Sequence, residues 1–264
     1  MRLFHSTIAI LVCLLSVAVA AAQDRAAMAP SATGRSAAVN VSPAQAAIDR
    51  AAKANKYVFL FFWKDKSPQT NEAWGMLEPA VSKMADVAVF VSIRITNPAE
   101  KRLIDEYGVT RAPMPLVLAV APNGAVTKAF TKTFDEKQLR TAFVSPCTQR
   151  CLKALQSRKL VLVCVVDHAN PQDKVATFKG VEDFKADKKC GAVTEVVLIN
   201  VRDAKEAAFL KELEVGKASA PLTIFLAPPG AMIGKFSNEA TKEVLLAKLA
   251  AAQSGCGAGC SCHH

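Results

Sequence analysis

Apolar and polar positions alternate between two patterns along most of the chain. Tyr57–Trp63 is a run of seven apolar or aromatic residues, strand length and too short for a separate helix, so it reads as a strand buried on both faces. Upstream, Ser42-Pro43 supplies an N-cap and a proline at the first helical position, and Ala47, Ile48 and Ala51 give that helix an apolar stripe. Downstream, 65–69 reads as a turn and 71–85 as a helix interrupted near Pro79. The pattern then predicts a strand over 87–95, a helix over 99–107 ended by Gly108, and a strand over 115–120. Pro122-Asn123-Gly124 marks a hairpin into 125–130, and Asp135 starts a last helix with Leu139 and Phe143 on its apolar side.

The second half repeats this order. Strands are expected over 160–166, 193–201, 222–226 and 232–236, helices over 175–184, 204–213 and 241–252, and a turn at Gly230. Ile95 to Val109 and Val201 to Val215 span equal intervals, and each is followed by an Ala-Pro step, Ala112-Pro113 and Ala220-Pro221. The chain reads as a duplication.

Residues 1–22 have the form of a signal peptide: a basic start at Arg2, an apolar stretch from Thr7 to Ala20, then small residues. That implies an exported protein, periplasmic or secreted, touching a membrane only if this segment stays uncleaved. Residues 23–40 lack periodicity and read as a flexible spacer. The 264 residues, 51% hydrophobic, suffice for two compact domains, expected over 41–145 and 159–253, with a linking helix over 146–158 and a Cys/His-rich tail over 254–264. The net charge of +10 is spread along the chain with no basic run interleaved with aromatics, which argues against a nucleic-acid partner.

Specific residues of the first half resemble the thioredoxin-like superfamily. Phe62-Trp63 stands where that family has Phe-Trp before its active-site loop, Tyr107-Gly108-Val109 matches its Tyr-Gly-Ile, and Ala112-Pro113 sits where it has its cis-proline. Asn123-Gly124 fills its Asn-Gly turn. The resemblance implies an α/β fold of two tandem thioredoxin-like domains, each a central mixed sheet flanked by helices. It further implies that Pro113 and Pro221 are cis, and that Trp63, Ala112, Pro113, Ala220 and Pro221 border grooves able to grip an extended peptide or protein segment.

The active-site loop departs from the pattern. Ser67-Pro68-Gln69-Thr70 occupies the place of Cys-x-x-Cys, and the matching second loop, Asp167-His168-Ala169-Asn170-Pro171, has no cysteine either. Disulfide exchange needs an attacking thiolate and a resolving thiol, and hydroxyls do neither. Ser67 reads as a helix cap, since a serine nucleophile needs a base and the one internal candidate, His168, falls in the other half.

Thiols lie elsewhere. Cys147 and Cys151, after the helix-starting Ser145-Pro146, share one helix face with β-carbons about 5–6 Å apart, against about 3.8 Å in a disulfide. Three readings stand for them: structural disulfide or buried thiols, metal ligands, or a redox pair in which Cys147, near a helix N-terminus and Arg150, has a lowered pKa. Cys164 reads as inert core and Cys190 as a loop residue with a free thiol. Cys256, Cys260, Cys262, His263 and His264 crowd a glycine-rich end, a donor set for Zn or Cu(I) that competes with a disulfide. The leading reading is a redox-inactive binding or scaffolding protein, with the question of enzymatic activity left open. The alternatives are a thiol-disulfide oxidoreductase using Cys147 and Cys151, or a metal storage or delivery protein.

Overall fold

The computed structural model describes residues 42–131, 134–167, 178–216, 220–237 and 240–255. The first unit runs α1 (Pro43–Lys53), β1 (Tyr57–Trp63), α2 (Pro68–Ser82), β2 (Ala88–Arg94), α3 (Lys101–Glu106), β3 (Leu116–Val120), β4 (Val126–Phe130) and α4 (Glu136–Arg140). The second runs α5 (Pro146–Gln156), β5 (Leu160–Val166), α6 (Lys179–Lys185), β6 (Thr194–Asn200), α7 (Ala207–Glu212), β7 (Leu222–Ala227), β8 (Ala231–Phe236) and α8 (Lys242–Gly255). Each unit holds a four-stranded sheet, β2-β1-β3-β4 or β6-β5-β7-β8. In each, the first two strands are parallel and the last two antiparallel.

Alternation along β1 sorts the first core onto the two sheet faces. Tyr57, Phe59 and Phe61 pack with Leu77 and Val81 of α2 and Leu139 of α4, while Val58, Leu60 and Phe62 pack with Ala44 and Ala51 of α1 and Leu103 and Ile104 of α3. β5 divides in the same way: Val161, Val163 and Val165 meet α5 and α7, and Leu162 and Cys164 meet α6 and α8. Cys164, 1% exposed, is a core residue.

Three sequence expectations change. α2 begins at Pro68, capped by Ser67, and runs through Pro79 to Ser82 without interruption. A mid-helix proline costs about 3 kcal/mol, but Leu77, Ala80 and Val81 around it are buried, and tertiary packing decides helix survival. The helices expected over 99–107 and 204–213 each open as a 3-10 turn, Pro98–Glu100 and Ala204–Glu206. The cis peptide bonds are Met114–Pro115, Ala220–Pro221 and Pro228–Pro229. Pro221 is therefore cis as the resemblance implies and Pro113 is not; Pro115 takes its place directly before β3, as Pro221 does before β7. Val109 to Pro115 and Val215 to Pro221 both span six residues, so the repeat itself marks the right proline.

The segment read as a linking helix fills α1's place in the second unit. α1 and α5 each have 11 residues, a serine N-cap and proline at the first position. Cys151, Ala154 and Leu155 of α5 enter the second core, while its Leu152 packs against the first. Residues 1–41, the second-domain loop 168–177 with His168, and the tail 256–264 lie outside the described residues, and the expectations made for them stand on sequence alone.

Candidate functional site

The first unit's site lies at the C-terminal end of β1. Trp63 pairs in register with Arg94 of β2, and Phe62 pairs with Leu116 of β3, which brings the ladder's end to Pro115. Trp63 is half-buried. Its indole Nε1 donates to Ser92 Oγ at 2.8 Å, and the Arg94 guanidinium stands 5.5 Å from its ring centroid. Met114 and Pro115 are half-buried and Pro113 exposed, so Met114-Pro115 replaces Ala112-Pro113 as the proline step of this surface.

In the degenerate loop, Ser67 caps α2: its Oγ accepts from Thr70 N at 3.2 Å and lies 3.1 Å from Thr70 Oγ1. Thr70 is 6% exposed. Pro68 and Gln69 are exposed. The two hydroxyls are thus spent on each other and on the helix end.

In the second unit, Asp167 follows β5 where Lys64 follows β1. Both Asp167 carboxylate oxygens accept from Arg202, at 2.7 and 2.8 Å. Ala220 and Pro221 are half-buried.

Cys147 and Cys151 sit on the inward face of α5, where the repeat places Ala44 and Ile48 on α1; all four pack against core. Cys147, Cys151, Cys164 and Cys190 are free thiols. The expectation of an acidified Cys147 is reversed by burial and by its neighbour. The Glu206 carboxylate sits at the helix N-terminus, accepting from Cys147 N at 3.2 Å and from Ser145 Oγ. Burial first, and then Glu206, push the Cys147 thiol up to about 12, outweighing Arg150. Burial chiefly, and then Cys147, raise Cys151 as well. Burial pushes Cys164 up to about 12. Cys190 is half-buried, its N–H donating to Asp187.

Glu206 has a twin that sequence reading passed over. Glu100, 5% exposed, accepts from Ala44 N at 3.3 Å. The signal was present: Asn97-x-x-Glu100 and Asp203-x-x-Glu206 fall at the same place in the two equal intervals. Asn97 and Asp203 each cap their 3-10 turn, and the turn delivers a buried carboxylate to the orphan N–H groups of the preceding repeat helix. Among the described residues no group of three or more His, Cys, Asp or Glu is placed to hold a metal ion, and no helix is long and apolar enough to cross a membrane.

The strand order, pairing directions and proline placement, found in both units, define the fold: two tandem thioredoxin-like units, the first carrying Ser67-Pro68-Gln69-Thr70 after β1. No protein-family model matches the chain, and no curated protein matches it. Solved structures it is similar to include a thioredoxin from Thermus thermophilus, 21% identical over 46% of this chain and 95% of that one, TM-score 0.33. The first two thioredoxin domains of Saccharomyces cerevisiae Eps1p are 13% identical over 78% and 94%, TM-score 0.29. Human ERp44 is 9% identical over 79% and 89%, TM-score 0.35. At these scores the fold assignment rests on the strand order and register described above.

Proposed function

We propose that the chain is an exported, redox-inactive binding or scaffolding protein that uses the end of the first sheet, around Trp63 and Pro115, to hold an extended peptide segment of a partner. The observation that carries this reading is Ser67, locked as the α2 cap where disulfide exchange needs a thiolate. Cys147, pushed up to about 12, is poorly suited to supply that thiolate from the junction. Export rests on the sequence of residues 1–22. In an insulin-reduction assay the protein should leave the dithiothreitol background unchanged. Turnover that disappears in Cys147→Ser would replace this reading with exchange at Cys147 and Cys151.

A second activity rests on the donor set Cys256, Cys260, Cys262, His263 and His264, which suits Zn or Cu(I) held by a chain that orders around the ion. Titration with Zn(II) and Cu(I) of the full chain and of a chain ending at residue 255 tests it. Loss of one bound ion on truncation is expected, and unchanged stoichiometry removes the tail site.

A further inference from the structure

The two repeats differ in charge at the same place in the fold. At the end of β5, Asp167 and Arg202 neutralise each other in a two-bond ion pair. At the end of β1 the corresponding positions are Lys64 and Thr96, and the surface carries Lys64, Lys66 and Arg94, with Arg111 on the turn leading toward Pro115. All four cations are exposed. Among the described residues none has a carboxylate partner within ion-pair distance. Asp65 is the one acidic residue between Trp63 and Ser67. Arg94 is held rather than loose: its Nε donates to Lys64 O at 3.3 Å and its guanidinium rests on Trp63, leaving its terminal nitrogens open to a ligand. The capped N-terminus of the 15-residue α2 adds its positive end to the same surface.

We infer that the occupant of the first domain's site is an acidic extended peptide, read by Lys64, Lys66, Arg94 and Arg111 around Trp63. This rests on the peptide-binding reading above and narrows it to one domain and one charge. A single-stranded nucleic acid fits less well, because Trp63 is half-buried with its Nε1 engaged and, among the described residues, no exposed aromatic flanks it to form a stacking platform. Uncompensated cations facing an anionic chain speed its encounter and weaken with salt.

The test is fluorescence anisotropy of the full chain with labelled peptides of equal length, alternating Glu-Ser, Gln-Ser and Lys-Ser, together with an oligothymidylate. The Glu-Ser peptide should bind about tenfold or more tighter than Gln-Ser at low salt, with Lys-Ser weakest. The variant Lys64→Glu/Lys66→Glu/Arg111→Glu should remove that advantage, and the same reversal at the exposed Lys188 and Lys189 of the second domain should leave it intact. Equal binding of Glu-Ser and Gln-Ser that is lost in Trp63→Ala would overturn the acidic preference and keep the peptide site. No binding of any peptide would overturn both. Equal weakening by the Lys188/Lys189 reversal, or tighter oligothymidylate binding through the same three cations, would also overturn the inference.

Discussion

At the scale of single residues the chemistry of this protein turns on what stands beside each thiol. A cysteine in the first turn of a helix is ordinarily acidified by the helix dipole. In α5 that position is shared with Glu206, whose negative charge and hydrogen bonds use the same N–H groups a thiolate would. At pH 8 a thiol pushed up to about 12 is ionised on the order of one part in ten thousand. Iodoacetamide should therefore label Cys147 slowly in the folded protein. In Glu206→Gln, which removes the charge and keeps an acceptor, labelling should quicken severalfold; an unchanged rate would mean that burial alone protects the thiol. A second consequence concerns alkaline pH. Cys147 and Cys164 ionise near 12 in the fold against an ordinary 9, so above pH 9 the unfolded chain has lost protons that the folded chain keeps. Their contribution to stability is complete below about pH 9 and is lost as pH rises toward 12. Urea midpoints measured across that window should fall, and should fall less steeply in Cys164→Val, which places a third valine between Val163 and Val165 of β5.

At the scale of elements, helix ends and helix interiors respond in opposite ways. Ser67→Ala should cost about 1 kcal/mol in chemical denaturation, because Thr70 N loses its acceptor, and Ser67→Asp should restore most of it. Gly75 lies inside the same helix with open space where a Cβ would go, so Gly75→Ala should gain about 0.5–1 kcal/mol. Gly180, in α6, is the opposite case: a Cβ there would lie 1.9 Å from Ala240 O, so Gly180→Ala should destabilise strongly. The strands were the most legible elements. Tyr57–Trp63 and Leu160–Val166 coincide with the apolar runs because both faces of these central strands are covered, leaving no polar position to blur their limits. The helices were less so. Pro79 reads as a break from sequence, and only the packing of Leu77, Ala80 and Val81 shows why it is none. Local composition also favoured Ala112-Pro113 over Met114-Pro115, although the spacing common to both repeats pointed to Pro115. The buried pair Glu100 and Glu206 was illegible by type, since an acidic residue in a helical stretch ordinarily faces solvent.

At the scale of the whole molecule, the duplication stops being symmetric where the two units meet. The hydroxyl of Tyr57 in β1 donates to Val144 O at 3.1 Å and accepts from Val144 N and Gln149 Nε2, both at 3.0 Å. Gln156 bonds both backbone groups of Val126, Oε1 accepting from its N–H at 2.9 Å and Nε2 donating to its O at 2.6 Å, so one side chain closes part of the free edge of β4. Lys153 reaches Gly124 O in the hairpin turn at 3.3 Å. The repeat-related positions are Ala46, Arg50 and Lys53 on α1 and Leu160 on β5, none able to reproduce this set, so the contact is particular to the junction and does not propagate to a further copy. The junction should therefore couple the two units in unfolding. Each hydrogen bond is worth about 0.5–1.5 kcal/mol net, and Gln149 and Gln156 together supply four to groups of the first unit and its connection to α5. By calorimetry the native chain should unfold in one transition. Gln149→Ala/Gln156→Ala should either broaden it or split it, with the first unit melting earlier because the edge of β4 and the Tyr57 hydroxyl lose partners there. Tyr57→Phe alone should reproduce part of that shift. A double variant that melts in one transition at the native temperature would assign the coupling to the apolar contact of Leu152 with the first core instead, and Leu152→Ala would then be the substitution that separates the two units.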